Sequence, residues 1–288
     1  MRSPVDDGSN PTVDIRDLAV KFGNGPEAVH ALLGITFTAH RERLAIVGES
    51  GSGKSTVGRA IMGLLSPRAT ISASKLSIAG TDLLGKSEVE LTRLRGMTMA
   101  MIMQDPKHSL NPTITVGEQI AEMHRLHLLS DRRTARDAAM AMLEVVRINE
   151  PQRVYGLLPS QLSGGMCQRI MIAMMLIVKP KVIIADEPTS ALDVSVQHEI
   201  LQILDELVRD LGGTLILISH NLPLVSSFAD RVLIMYRGRV VENCSTERLS
   251  EATHPYSQGL LNCLPRLAMR RARLPQIVRD ASWQLAEN

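Results

Sequence analysis

An α/β fold is predicted, with a strand-and-helix core, an antiparallel β layer and a helical insertion. Three observations carry the prediction. The apolar run Leu44-Ala45-Ile46-Val47 passes through a glycine-rich loop into the helical stretch Val57 to Met62. A second apolar run, Val182-Ile183-Ile184-Ala185, stops at the carboxylates Asp186 and Glu187. Between them, from Pro106 to Gln161, apolar residues take up helical spacing.

Composition sets the frame. A chain of 288 residues suits one large domain or two small ones, and 44% apolar with 22% charged residues is ordinary for a packed globular protein. The net charge of +2 is too small to argue for a nucleic-acid partner by itself, and no nucleic-acid partner is expected once the whole sequence is read. Cys167, Cys244 and Cys263 are odd in number and lack metal-ligand spacing, which reads as a reducing compartment without a disulfide framework. Met1 to Asn10 holds Asp6 and Asp7 and no apolar core, so a signal peptide is not expected. The longest apolar run, Met171 to Val178, falls short of the roughly 18 residues a membrane span needs. Work at a membrane would need partners.

Val13 to Phe22 alternates loosely and breaks at Gly23-Asn24-Gly25-Pro26, a strand and turn. Ile35 to Ala39 and Arg43 to Val47 give two more strands, so an antiparallel layer feeds the central strand. Phe22 is one of seven aromatic residues. At a strand end near a ligand it could stack on a base, and a plain core role fits its spacing equally well.

Next comes Gly48-Glu49-Ser50-Gly51-Ser52-Gly53-Lys54-Ser55-Thr56. Between a strand and a helix, this spacing is the phosphate-binding loop of nucleotide proteins. Glycines let successive N–H groups point at one anion, and the helix N-terminus adds partial positive charge. Lys54 can then reach the outer phosphates of ATP or GTP, and the Ser55 hydroxyl can hold Mg²⁺. A Gly/Ser-rich turn with a stray lysine is the alternative, and the flanking strand and helix argue against it.

Met97, Met99, Met101 and Met103 alternate, then Gln104-Asp105-Pro106 follows. A buried strand with methionine as adaptable filler is preferred over a soft-metal site. Gln104 would stand at the strand's carboxyl end, which faces ligands in open α/β sheets. Helices are expected over Gly117 to His127 and Arg132 to Val146, the second capped by Asp131. His124 and His127, at i and i+3, have no third ligand nearby and read as solvated residues.

Leu162-Ser163-Gly164-Gly165-Met166 then opens an apolar helix, a second anion site of the same physical kind. The strand Val182 to Ala185 delivers Asp186, suited to Mg²⁺, and Glu187, placed to polarise a water. Val194 to Leu211 is an amphipathic helix ended by Gly212-Gly213, and Thr214 to Ile218 is a strand stopping at Ser219-His220. His220 at that end is read as a γ-phosphate or water contact. Val232 to Tyr236 and Arg239 to Glu242 close the core as a hairpin.

In this order the signals resemble the Walker A (Gly48 to Thr56), Q-loop (Gln104), signature (Leu162 to Met166), Walker B (Val182 to Glu187), D-loop (Ser190-Ala191-Leu192-Asp193) and H-loop (His220) elements of ABC-transporter ATPase subunits. The resemblance implies a phosphate-loop, RecA-like core with an antiparallel β layer and a helical subdomain insertion. It implies an ATPase domain over residues 1–253, with the insertion at about 106–165, and a C-terminal extension over 254–288. It implies that Ser55, Gln104 and Asp186 serve Mg²⁺, that Glu187 is the catalytic base with His220 and Gln104 beside it, and that Phe22 stacks on the base of ATP. Ser163, Gly164 and Gly165 would act on the nucleotide of a second, head-to-tail ATPase subunit.

Gln104-Asp105-Pro106 with Ser109-Leu110-Asn111-Pro112, the Met166 to Arg169 ending of the signature, and His254-Pro255-Tyr256 are similar to oligopeptide, dipeptide and nickel importers, in their "D"-type ATPase. That implies two membrane permease subunits, an extracytoplasmic substrate-binding protein, and a peripheral place on the cytoplasmic face of the inner membrane. A permease-free ABC protein acting on nucleic acid or ribosomes is the alternative. The family's Gly is missing at Arg41-Glu42-Arg43, and Asn221 replaces an Asp after the His. The tail ends without a cysteine-rich segment, so no iron–sulfur cluster is expected. Its arginines Arg266, Arg270, Arg271, Arg273 and Arg279 read as a solvated basic segment, with anionic lipid as the sharper alternative.

Overall fold

The computed structural model describes residues 10–190 and 192–263. The basic tail, the first nine residues and Ala191 of the D-loop stretch therefore lie outside the described residues. Described residues of Met1–Leu84 and Ile216–Asn288 form one compact unit, and Gly85–Leu215 form another.

In the first unit, β1 (Val13–Phe22) pairs antiparallel with β2 (Val29–Ala39). The loose alternation of β1 has a physical cause. Asp17 sits at φ 53, its N–H donates to Thr36 Oγ1 at 2.9 Å, and the register shifts between Ile15 and Leu18. This bulge lets Val13, Ile15, Leu18 and Val20 all face the core. β2 starts earlier than Ile35 because Gly34, at φ 77, interrupts its pattern without ending the pairing.

After β3 (Arg43–Val47) and α1 (Lys54–Met62) come β4 (Ala69–Ser72), β5 (Lys75–Ile78) and β6 (Thr81–Asp82). β4 and β5 add to β1 and β6 to β5, all antiparallel, which completes the expected β layer. These short strands left no periodic trace in the sequence.

The second unit starts with α2 (Glu88–Leu94), opened by a capping box of Ser87 and Glu90, and β7 (Met99–Ile102). Met99 and Met101 are buried as filler, whereas Met97 and Met103 flank the strand and are exposed. Helices follow: α3 (Pro106–Ser109), α4 (Val116–Leu128), α5 (Arg132–Val145), α6 (Pro151–Tyr155) and α7 (Gly164–Leu176). Asp131 caps α5 as expected, accepting from Thr134 N at 2.7 Å. α7 contacts α3, α4, α5 and β7, and is buried on most of its faces, which is why its sequence is apolar nearly throughout. His124 and His127 are half-buried rather than solvated: His124 Nδ1 meets Ser130 Oγ at 2.6 Å, and the His127 ring packs over Gly96. Among the described residues no cluster of His, Cys, Asp and Glu could hold a metal ion. β8 (Val182–Asp186) runs parallel to β7, and α8 (Val194–Leu211) ends at Gly212 in the left-handed region.

Along β9 (Thr214–Ser219) the chain returns to the first unit, then forms α9 (Leu222–Phe228), β10 (Arg231–Tyr236), β11 (Arg239–Ser245) and α10 (Pro255–Asn262). β10 lies parallel to β3 and antiparallel to β11. Where the family pattern has a Gly, the Arg41-Glu42-Arg43 turn is held by ion pairs instead. Glu42 Oε1 meets Arg231 at 2.8 Å, and Arg43 meets Asp230 Oδ1 at 2.5 Å. No helix among the described residues is long and apolar enough to cross a membrane.

Candidate functional site

Each unit presents part of the expected chemistry. In the first, β3 delivers the chain into the glycine-rich loop, and the glycines are there for identifiable reasons. A Cβ on Gly48 would stand 2.2 Å from the carbonyl oxygen of Met235 on β10. One on Gly53, which caps α1 at φ 101, would stand 2.7 Å from Leu32 Cδ2 and 2.8 Å from the Ala31 carbonyl oxygen. The β10–β11 turn braces the loop: Gly238 N–H donates to Ser52 C=O at 3.0 Å, and Gly238 C=O accepts from Leu33 N–H at 2.8 Å.

Lys54 opens α1 and is buried. Its ammonium donates to the carbonyls of Gly48 and Glu49, each at 2.8 Å. The lysine is therefore folded back over the loop, with its charge on backbone oxygens. Ser52 Oγ is also buried and has no hydrogen-bond partner among the described residues. An acceptor-rich anion would satisfy it, and the first turn of α1 directs N–H groups the same way. These features fit a nucleotide's phosphates. Ser50 and Gly51 form the exposed crest of the loop, and Ser55 and Thr56 are half-buried in the first turn of α1. The Glu49 N–H, at the start of the loop, donates to the Tyr256 hydroxyl at 3.0 Å.

Phe22 is half-buried at the end of β1, opposite Val29 and Ala69. His220 is exposed just past β9, the strand beside β3. Asn221, beside it, caps α9, its Oδ1 accepting from Leu224 N–H at 3.2 Å.

In the second unit, the register Ile102↔Ala185 carries Gln104 and Glu187 to equivalent places just past the ends of β7 and β8. Asp186 ends β8 and is 4% exposed. Glu187 adopts φ 48, a left-handed conformation that strains a non-glycine residue by roughly 1–3 kcal/mol. Such strain persists only where the surroundings enforce it, here immediately past the end of β8. The hydroxyl of Ser55, the amide oxygen of Gln104 and the carboxylate of Asp186 are hard oxygen donors of the kind Mg²⁺ prefers.

The signature turn lies on the same unit. Ser163 caps α7, its Oγ accepting from Met166 N–H at 3.3 Å. Ser163 is exposed and Gly164 and Gly165 are half-exposed, so this helix N-terminus opens outward. A Cβ on Gly165 would press to 3.1 Å from Val196 Cγ1.

Two residues escaped the sequence reading. Gln197, on α8, donates its amide to the carbonyls of Thr189 and Leu192, each at 3.0 Å, and so ties down the loop after Glu187. Tyr256 stood in a stretch valued only for its likeness to a subgroup, with nothing local to link it to a loop some 200 residues earlier.

A family model described as "ABC transporter" matches residues 32–190. The oligopeptide transport ATP-binding protein OppD of Haemophilus influenzae is 42% identical over 260 residues, 90% of this chain and 80% of that protein. The dipeptide transport ATP-binding protein DppD of the same organism is 42% identical over 267 residues, 92% of this chain and 81% of that protein. Among solved structures, the dimeric post-hydrolysis state of the ATP-binding cassette MJ0796, bound to ADP and Pi, matches with a TM-score of 0.73 and 27% identity over 81% of this chain and 98% of its own.

Proposed function

The chain belongs to the ABC transporter family as an ATP-binding, ATP-hydrolysing subunit, and on that premise we propose that it powers the import of short peptides through separate membrane subunits. The observation that carries the reading is the loop with Lys54 folded onto the Gly48 and Glu49 carbonyls, in a chain alike over nine-tenths of its length to a protein named for oligopeptide transport. Relatives named as transport subunits favour this over a permease-free protein acting on nucleic acid.

The roles follow from the groups available. The loop from Gly48 to Thr56 and the N-terminus of α1 hold phosphates, with Ser52 Oγ a further donor. Lys54 exchanges backbone carbonyls for phosphate oxygens, which is favourable because charge-assisted hydrogen bonds are the stronger kind. Phe22 stacks on the base. Ser55, Gln104 and Asp186 would hold Mg²⁺, which would supply charge neutralisation at the phosphates. Glu187 orients a water and takes its proton, and His220 donates to the γ-phosphate. Ser163, Gly164 and Gly165 complete the nucleotide site of a second ATPase subunit, an assignment supported by the dimeric state of the matched cassette. Two permease subunits and an extracytoplasmic binding protein complete the complex, and this chain sits at the cytoplasmic face of the inner membrane.

The test is uptake of a labelled dipeptide or tripeptide in a strain lacking this chain. Uptake returns with the wild-type chain and not with Glu187→Gln. Uptake that never depended on the chain would sink the peptide assignment.

A further inference from the structure

The peptide unit joining Gly48 to Glu49 is gripped from both ends. Its carbonyl, that of Gly48, accepts from Lys54 Nζ at 2.8 Å. Its N–H, that of Glu49, donates to the Tyr256 hydroxyl at 3.0 Å. On the Cα side, the Met235 carbonyl stands so near Gly48 that no side chain fits.

Tyr256 is itself firmly placed. It is 0% exposed, and its ring lies tilted on that of Tyr236 with centroids 4.4 Å apart. The entrance to α10 is fixed from two directions. Glu242 Oε2 on β11 accepts from the N–H groups of Thr253 and His254, both at 3.1 Å. His254 Nδ1 accepts from Tyr256 N–H at 3.1 Å. These bonds run from the closing hairpin through the first turn of α10 to the phosphate loop.

We propose that Tyr256 is a positioning residue for nucleotide binding, holding the Gly48–Glu49 peptide so that its carbonyl keeps Lys54 over the loop. A peptide is a rigid plane, so fixing its N–H fixes the direction of its C=O. Without the Tyr256 hydroxyl the plane is held less firmly and turns more readily about Gly48, whose lack of a side chain imposes little restraint of its own. Lys54 then loses the Gly48 carbonyl as a fixed anchor and starts from a broader set of positions when phosphate arrives. Ordering it on binding costs affinity. The His254-Pro255-Tyr256 segment thus acts on the nucleotide site through backbone geometry, without touching the nucleotide.

This inference rests on the reading of Gly48 to Thr56 as the ATP site, and the experiment separates the two. Three full-length proteins are compared: wild type, Tyr256→Phe and Lys54→Ala. Phe keeps the ring against Tyr236 and deletes the hydroxyl alone. ATP binding is titrated with a fluorescent ATP analogue, and exchange of the Glu49 amide is followed in nucleotide-free protein. A neutral hydrogen bond of ordinary net strength predicts an ATP Kd raised about three- to tenfold in Tyr256→Phe, with faster exchange at Glu49. KM for ATP rises with kcat unchanged. Unchanged affinity in Tyr256→Phe, or lost affinity with Glu49 exchange unaltered, overturns the proposal. Should Tyr256→Phe not fold, wild type alone decides: Glu49 N–H must exchange slowly without nucleotide, and solvent-like exchange overturns it. If Lys54→Ala binds ATP as well as wild type, it is the loop assignment itself that fails.

Discussion

Gln197 Nε2 donates to the carbonyl oxygen of Thr189 at 3.0 Å, and the same nitrogen donates to that of Leu192, also at 3.0 Å. One side-chain amide therefore spans the loop that leads from Glu187 into α8. Local turns add to it, with Ser190 N–H bonding the Glu187 carbonyl at 3.3 Å and Leu192 N–H the Thr189 carbonyl at 3.2 Å. Thr189 is buried, so its carbonyl has little recourse to water. Gln197→Leu keeps the approximate volume and removes both donors. We expect a stability loss of about 1–3 kcal/mol and turnover reduced severalfold, with ATP affinity unchanged because the phosphate loop is elsewhere in the chain. Urea unfolding, phosphate release and nucleotide titration check the three parts. Weakened ATP binding with normal turnover would contradict this placement of Gln197.

Glu187 combines a strained backbone with the position expected of the base. Gln is no better suited than Glu to φ 48, so Glu187→Gln should leave the strain and the folding stability much as they are. It should retain ATP and lose turnover by about 10²–10⁴-fold, the range of general-base contributions. Single-turnover phosphate release measures this, and a loss under fivefold would assign the base elsewhere.

Ser163 caps α7 and is proposed to act on a partner's nucleotide, and different assays can separate the two. As the cap of α7 it is worth about 1 kcal/mol, which Ser163→Ala removes. As an exposed donor beside Gly164 and Gly165 it is assigned to a partner's nucleotide. The variant should bind ATP normally in the isolated subunit yet hydrolyse it slowly. Turnover per subunit should climb with protein concentration, since an incomplete site gains its missing part by association. Turnover per subunit that stays constant on dilution to monomer excludes action in trans.

How much the sequence disclosed depended on the range over which each signal acts. The loop Gly48 to Thr56, the strand into Asp186 and the capped turn at Ser163 are local arrangements, and the chain folds them where their residue order places them. Long amphipathic helices such as Val194–Leu211 announce themselves by period alone. The strands Ala69–Ser72 and Lys75–Ile78 did not, because four residues are too few for a period and pairing with β1 is what makes them strands. The start of β2 was hidden by Gly34, and the inward face of β1 by the bulge at Asp17. Tyr256 and Gln197 belong to a harder class. Their partners are backbone groups, which every residue carries, so no residue type marks the other end of the bond.

Asp193 offers a test by pH. Its carboxylate accepts from Ser195 Oγ–H at 2.6 Å and from Val196 N–H at 3.0 Å, at the N-terminus of α8. The Ser195 hydrogen bond foremost, then that backbone N–H, hold its carboxyl below the usual carboxylate range. A group with a depressed folded pKa stabilises the fold fully above its unfolded value, about 3.9 for Asp, and gives that stabilisation up as pH falls through the folded value. From neutrality down to about pH 5, then, Asp193 contributes a constant amount. Asp193→Asn keeps a capping oxygen and removes the titration, so the stability gap between the two proteins should be flat over that range and close below it. Urea midpoints of both at a series of pH values measure the gap. A gap that stays constant through the acid range would mean that the Asp193 carboxyl is not held in its charged form by Ser195 and Val196.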